Sequence, residues 1–222
     1  FESTRADVLG KRIDGKPVAP NLARVAAQGG ALAPAYSHVG FTTASLKSLF
    51  AGSLVVPPGS PSLFRELDAS GYEIGVFSGQ PEDFGGISAA VGMREVADRF
   101  VDAEVLKDQR AFSFAAQGSL LIDENIVLDR FDAALGEAAA WETPQFVYLN
   151  FQTPHFPYHH DAVPHRFAKP PLERGQINEG NRTALERTYW NAVAHTDDAL
   201  GRLIAKLEAM GVWQDTVLIV TG

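Results

Sequence analysis

Two adjacent threonines, Thr42 and Thr43, stand where the sequence predicts the start of a helix. A threonine at a helix start most simply caps the helix by accepting a hydrogen bond from a backbone amide. A nucleophilic role requires the hydroxyl to lose its proton, which the positive helix end and a bound divalent cation would both favour. Because there are two threonines, one can cap while the other reacts. The pattern leaves both roles open for Thr42.

Glu2 follows what would be the tail of a strand whose body precedes Phe1. A carboxylate in that position can ligate a metal ion, or it can be solvated or cap a neighbouring amide. Arg5 and Asp7 follow closely in the chain, and we expect them to form a local salt bridge.

Imidazoles are concentrated in one loop, which contains His155, His159, His160 and Asp161 and follows a predicted buried strand. Such a cluster is typical of substrate or metal binding, but a proline-flanked surface loop with ordinary histidines is an equal alternative. His195 lies in the middle of a predicted helix, beside its apolar stripe, and we interpret it as a packing residue.

Alternating strand and helix patterns must position these residues. The predicted helices cover residues 20–29, 43–51, 62–69, 87–91, 123–135 and 182–210, and the predicted strands cover 72–77, 146–151 and 216–221. This alternation predicts an α/β fold with three layers, in which a mostly parallel sheet carries helices on both faces. Polar residues after the strands would then meet at the carboxyl edge of the sheet.

Composition excludes several classes of protein. The chain has 222 residues, a net charge of −8 and no cysteine. The acidic balance argues against nucleic acid as a partner. The lack of cysteine removes disulfides, thiolate nucleophiles and zinc–thiolate sites. No apolar run approaches the ~20 residues of a membrane span, and there is no glycine-rich phosphate loop, His-Glu-x-x-His motif or Gly-x-Ser-x-Gly elbow.

Five segments, taken in order, resemble the alkaline phosphatase/sulfatase superfamily. They are residues 1–7 (FESTRAD), 19–29 (APNLARVAAQG), 42–52 (TTASLKSLFAG), 146–158 (FVYLNFQTPHFPY) and 189–221, the last containing the Asp-Asp-x-Leu-Gly-Arg-Leu pattern. The resemblance implies that residues 1–222 are the N-terminal and central part of a sulfatase-like catalytic domain. It also implies that the first strand and the C-terminal part are missing, so that the chain is a fragment truncated at both ends.

The nucleophile position separates the branches of this superfamily. Sulfatases place a cysteine or serine there, which is converted to formylglycine, whereas this chain has Thr42. Threonine with a lone glutamate resembles the branch of lipoteichoic-acid synthases and phosphoethanolamine transferases. That resemblance implies that Glu2 and Thr42 are metal ligands, that Thr42 is also the attacking group, and that His155 contacts the phosphate or assists the leaving group. We assign His159 and His160 to substrate binding.

The implied activity is metal-dependent phosphoryl transfer or phosphoester hydrolysis through a phosphothreonine. The cofactor would be Mn, Zn, Mg or Ca, and the substrate a small-molecule, lipid or glycan phosphate ester. The resemblance also implies a location outside the cytoplasmic membrane, with an anchor that is not in this chain. Two alternatives remain open: a sulfate-ester hydrolase or phosphodiesterase of the same architecture, and a non-catalytic remnant that binds a glycan or lipid head group.

One departure from the family pattern matters for the metal. The family's last two metal ligands are an Asp-His pair directly after the strand that here ends at Gly222. With only two ligands, we expect the chain alone to bind metal poorly and to turn over little.

Overall fold

A computed structural model describes residues 1–32, 35–37, 39–57, 59–111, 122–172 and 174–222. The strands are β1 (Arg12–Ile13), β2 (Lys16–Pro17), β3 (Glu73–Ser78), β4 (Arg99–Val101) and β5 (Gln145–Asn150). The helices are α1 (Pro20–Gln28), α2 (Thr42–Ala51), α3 (Leu63–Ala69), α4 (Ile87–Val91), α5 (Met93–Val96), α6 (Glu124–Leu135) and α7 (Arg182–Ala209).

Three parallel strands form the central sheet in the order β4-β3-β5. Val76 of β3 lies between Phe100 of β4 and Tyr148 of β5. A separate antiparallel hairpin joins β1 to β2 through Asp14 and Gly15, both of which have positive φ. The parallel order confirms the α/β fold, since parallel strands need crossover helices between them.

Side-chain alternation along the strands divides the core between the two faces of the sheet. One face packs on α6 and α7 through Phe77 and Phe131. The other packs on α2, α3 and α4 through Ile74 and Phe64. The predicted three-layer arrangement of helices on both faces is therefore present.

The long helix α7 also organises α1. Pro20 opens α1, and Ala19 before it has no side chain that caps the helix. Asp197 of α7 supplies the cap instead, because its carboxylate accepts hydrogen bonds from the backbone N–H of Asn21 at 3.0 Å and of Leu22 at 2.8 Å. Gly201 lets the Asn21 side chain pack closely on α7, since a Cβ at Gly201 would lie 2.7 Å from Asn21 Nδ2.

The prediction of a last strand at residues 216–221 is wrong. In the part of the chain that the structure describes, no strand pairs with this segment. Its side chains Val217 and Ile219 are 86% and 82% exposed. An apolar run becomes a strand only where a neighbour can complete its hydrogen bonds. Within the same described residues, no helix is both long and apolar enough to cross a membrane.

Candidate active site

Thr42 is the first residue of α2, and the turn after β3 fixes the position of that helix. Gly85 lies in this turn with φ of +58°, and a Cβ there would lie 2.4 Å from Thr43 Cγ2. Lys47, one turn along α2, donates a hydrogen bond to the Gly85 carbonyl at 2.6 Å. Only glycine allows this approach, so the turn sets where α2 begins.

Glu2 and Thr42 lie in direct contact although they are far apart in the sequence. Thr42 Oγ1 donates a hydrogen bond to Glu2 Oε1 at 2.8 Å. The Glu2 amide donates to the Phe151 carbonyl at 3.0 Å, which places this carboxylate just beyond β5. The structure therefore brings together the two residues that the sequence analysis assigns to metal binding; the assignment itself stays a prediction.

The segment after Glu2 is held by α7. Tyr189 donates a hydrogen bond to the Ser3 carbonyl at 3.0 Å and accepts one from the Arg5 amide at 2.8 Å. Arg5 also forms a two-fold ion pair with Asp7, at 2.8 and 2.9 Å. The predicted local salt bridge between these two residues is confirmed.

His155 lies in the loop that follows β5, and it is half-buried. Its Nδ1 lies 3.0 Å from the Phe156 carbonyl oxygen. A carbonyl only accepts, so Nδ1 carries the proton and Nε2 is the nitrogen that remains for other partners. No hydrogen bond in the described ranges joins His155 to Glu2 or Thr42, and its role in catalysis stays a prediction.

The other two histidines of this loop have different surroundings. His159 packs against His165 with 5.5 Å between ring centroids. His165 lines an open groove of about 630 Å³ with Asp161, Val163, Lys169 and Pro170. His160 instead is 4% exposed and faces the interior. Their assignment to substrate binding stays a prediction, and His160 is the less accessible of the two.

A buried cluster of four side chains lies behind this loop. Asp123, Glu124, His160 and His195 each offer one ligand-type atom, and these four atoms lie within 4.8 Å of one another. His195 Nε2 is 2.8 Å from Asp123 Oδ2 and 3.6 Å from Glu124 Oε2. His160 Nε2 is 3.5 Å from Asp123 Oδ2. This set of imidazoles and carboxylates could hold a metal ion.

Burial and pairing set the protonation of the cluster. Burial opposes ionisation of Asp123, but the hydrogen bond from His195 and its charge outweigh this and lower the pKa of Asp123 to about 2. Burial lowers the pKa of His160 to about 4 and raises the pKa of Glu124. For His195, burial is outweighed by Asp123 and Glu124, which raise its pKa. At neutral pH, Asp123 is therefore ionised and His160 is neutral.

Another buried carboxyl group, that of Glu82, lies beyond the carboxyl ends of β3 and β5. Glu82 is fully buried, and burial raises its pKa. It accepts hydrogen bonds from Ser78, Gln80 and Asn150. Burial and the charges of Glu82 and Glu2 raise the pKa of Tyr148 well above its usual value.

The buried cluster was not predicted from the sequence as a site. Asp123 is the N-cap of α6, because its Oδ1 accepts a hydrogen bond from the Asn125 amide at 2.7 Å. His195 was predicted to be a packing residue, but it is hydrogen-bonded to Asp123. The available signal was the adjacent Asp123-Glu124 pair at a helix start, combined with a histidine on the apolar stripe of α7.

Comparison with known proteins gives a family from the sequence and a shared fold from solved structures. The sulfatase family model matches residues 1–222. The lipoteichoic acid synthase LtaP from Listeria monocytogenes superposes with a TM-score of 0.67 over 96% of this chain and 52% of its own, at 16% identity. A protein of the alkaline phosphatase superfamily from Vibrio parahaemolyticus gives a TM-score of 0.62 over 96% and 50%, at 19% identity.

The two structural matches establish the shared fold alone, because their sequence identity is low. The chain spans about half the length of each of these solved structures. No curated protein matches the chain's sequence at a significant level.

Proposed function

The chain belongs to the sulfatase family, and from that premise we propose that it carries part of a metal-dependent active site that transfers or hydrolyses phosphate esters. Thr42 is the nucleophile, Glu2 and Thr42 are metal ligands, and His155 acts on the substrate phosphate or the leaving group. The observation that carries this proposal is the 2.8 Å contact between Thr42 Oγ1 and Glu2 Oε1.

The donor set of this pair fits a divalent cation. A carboxylate and a hydroxyl oxygen are hard ligands of the kind that Mg²⁺, Mn²⁺ and Ca²⁺ prefer. Two adjacent oxygens bound at about 2.1 Å in octahedral geometry lie about 3.0 Å apart, close to the spacing seen here. Manganese, zinc, magnesium and calcium all remain candidates.

The proposed chemistry is an in-line displacement in two steps. Thr42 Oγ1 forms a bond to phosphorus while the bond from phosphorus to the leaving alcohol breaks, and its proton departs along the hydrogen bond toward Glu2. A bound cation supplies positive charge that favours the Thr42 alkoxide and the phosphoryl oxygens. His155, when Nε2 also carries a proton, gives that proton to the leaving oxygen. Water or an acceptor alcohol then attacks the phosphothreonine and passes its own proton to His155 Nε2. The bond from phosphorus to Thr42 Oγ1 breaks, and Oγ1 takes its proton back from Glu2.

The substrate class follows from the threonine. A formylglycine cannot form from Thr42, and the chain has no cysteine, so phosphate esters are favoured over sulfate esters. LtaP is named as a lipoteichoic acid synthase. By analogy with LtaP, we propose that a lipid or glycan phosphate is the natural substrate and that the protein acts outside the cytoplasmic membrane.

The test is turnover by the full-length protein on nitrophenyl phosphate, bis-nitrophenyl phosphate and nitrophenyl sulfate. Thr42→Ala should lower kcat by roughly 10³-fold or more, because it removes the attacking oxygen. Thr43→Ala is the matched control and should retain activity. Mass spectrometry of the protein quenched during turnover should locate phosphate on Thr42.

Retained activity in Thr42→Ala, or phosphate on another residue, would remove Thr42 from the nucleophile role. Preference for the sulfate would favour the sulfatase alternative.

A further inference from the structure

Three different elements contribute side chains to the buried cluster behind the His155 loop. Four atoms point inward, namely Asp123 Oδ2, Glu124 Oε2, His160 Nε2 and His195 Nε2. They come from the start of α6, from the middle of α7 and from the loop after β5. These three elements are otherwise separate in sequence, so a bond to a common centre would join them.

The outer oxygens of the two carboxylates are held by protein donors. Asp123 Oδ1 accepts from the Asn125 amide at 2.7 Å. Glu124 Oε1 accepts from the Thr153 amide at 2.8 Å and from Thr196 Oγ1 at 2.9 Å. Such outer hydrogen bonds orient carboxylate ligands at metal sites. The inner oxygens are Asp123 Oδ2, which is hydrogen-bonded to His195, and Glu124 Oε2, which also accepts from Thr153 Oγ1. A metal ion would take the place of the bond between His195 and Asp123.

The charges of the cluster also fit a cation. Glu124 has 0% exposure, and in the described residues the basic side chains within ion-pair distance of it and of Asp123 are the imidazoles of His160 and His195. Buried charges are paired or bound to metal. A divalent ion would balance the charges of the two carboxylates and would bind the imidazoles in their neutral form.

From these observations we infer that Asp123, Glu124, His160 and His195 form a second divalent-cation site, with no residue in common with the Glu2–Thr42 pair. The mixed nitrogen and oxygen ligands favour Zn²⁺. The ion is structural, since all four ligands are buried, and it fastens the loop that carries His155 to α6 and α7. This inference does not depend on the proposed function.

The spacing of the ligand atoms is near that around a bound ion, since every pair lies within 4.8 Å. Around an ion with bonds of about 2.1 Å, neighbouring tetrahedral ligands lie about 3.4 Å apart. The separations of 3.5 and 3.6 Å already match, whereas the His195–Asp123 separation of 2.8 Å would open by about 0.6 Å. Thr153 Oγ1 lies 3.1 Å from His160 Nε2 and also donates to Glu124 Oε2. Zinc would replace the contact of Thr153 with His160 and would share Glu124 Oε2 with Thr153.

The experiment is a zinc count on the full-length protein, stripped with a chelator and reloaded with Zn²⁺. We expect His195→Gln to lose one zinc per chain relative to wild type, and His165→Gln, the exposed matched control, to lose none. Glu2→Gln should retain the zinc of the cluster. If Glu2→Gln leaves the zinc count unchanged, zinc is not the ion of the Glu2–Thr42 pair, and this inference stands.

A second pair of variants leaves every ligand in place. Thr196→Val removes one hydrogen bond to Glu124 and should weaken zinc binding by roughly 10–100-fold. Thr188→Val, at an equally buried threonine of α7 away from the cluster, should not. Calorimetry measures both. An equal zinc count in wild type and His195→Gln, or a crystal of zinc-loaded wild type with no anomalous peak among the four atoms, would overturn the site and leave the cluster as a hydrogen-bonded network.

Discussion

Single buried side chains dominate the electrostatics of this molecule, and Glu82 is the one whose effect on stability is most direct. Its carboxyl is fully buried, and burial raises its pKa although three side chains donate hydrogen bonds to it. The folded protein therefore holds a proton on Glu82 at pH values where the unfolded chain has lost it. Stability must then fall as pH rises through that window.

Replacing Glu82 by glutamine tests the predicted direction of the pH dependence of stability. Above pH 4.5, the unfolded value, the contribution of Glu82 to the free energy of unfolding should decrease by up to about 1.4 kcal/mol per pH unit until the raised folded pKa is reached. Glu82→Gln should remove that slope. Urea unfolding between pH 4.5 and 8 measures it. Glu137→Gln, at an exposed glutamate, is the control and should follow wild type. A Glu82→Gln slope equal to that of wild type would contradict a raised pKa.

At the scale of elements, the position of α2 depends on Gly85. An added Cβ would meet Thr43 Cγ2 at 2.4 Å, so Gly85→Ala must move the start of α2 and with it Thr42. Gly86→Ala is a close control, because Gly86 also has positive φ, at +71°, but its Cβ would meet only Lys47 Nζ at 3.7 Å. Both variants carry backbone strain of about 1 kcal/mol.

The clash in Gly85→Ala should add a further loss of turnover that Gly86→Ala lacks. We expect at least a 10-fold lower kcat/KM for nitrophenyl phosphate in Gly85→Ala than in Gly86→Ala, since a displacement of about 1 Å costs on the order of 10²-fold. Equal kcat/KM values in the two variants would show that the turn does not position Thr42.

The cap of α1 by α7 gives a second prediction at this scale. Asp197→Ala leaves the amides of Asn21 and Leu22 without their acceptor and should lower the free energy of unfolding by roughly 2–3 kcal/mol. Asp198→Ala, one residue on, breaks only a surface pair with Arg166 and should cost about 1 kcal/mol or less. Urea titration compares the two. Equal losses of stability in Asp197→Ala and Asp198→Ala would show that the cap of α1 does not stabilise the fold.

These elements also show what sequence reasoning can reach. The helices α1, α2, α6 and α7 were predictable to within a residue or so, because their starts and stops depend on local residues such as Pro20, Asp123 and Gly211. The segment 216–221 was not, since a strand depends on a partner elsewhere. The hairpin of β1 and β2 and the short strand β4 were also not predicted.

Of the two candidate sites, one was predictable from the sequence and the other was not. Glu2 and Thr42 were paired through the order of family motifs, and the structure places them in contact. The cluster of Asp123, Glu124, His160 and His195 was not foreseen, because His195 meets Asp123 across 72 positions of the chain. Each of its residues also has an ordinary local role, such as capping or packing, and only the tertiary structure shows that these roles coincide.

For the whole molecule, the sheet separates two cores that should contribute independently to stability. Phe131 belongs to the core between the sheet and α6, and Phe64 to the core on the opposite face. Within the second core, Phe50 and Phe64 touch, with 4.8 Å between ring centroids. Changes on opposite faces share no contact, whereas changes at Phe50 and Phe64 act on one packed group.

Double-mutant cycles by urea unfolding distinguish these cases. Phe131→Leu and Phe64→Leu should each cost roughly 1–3 kcal/mol, and the double variant should equal their sum within about 0.5 kcal/mol. Phe50→Leu combined with Phe64→Leu should depart from additivity by more than that, because removing one ring changes the cavity left by the other. If Phe131 and Phe64 depart from additivity as strongly as Phe50 and Phe64 do, the sheet does not separate the two cores energetically. The helices that hold Thr42 and those that hold the buried cluster would then respond to each other's packing.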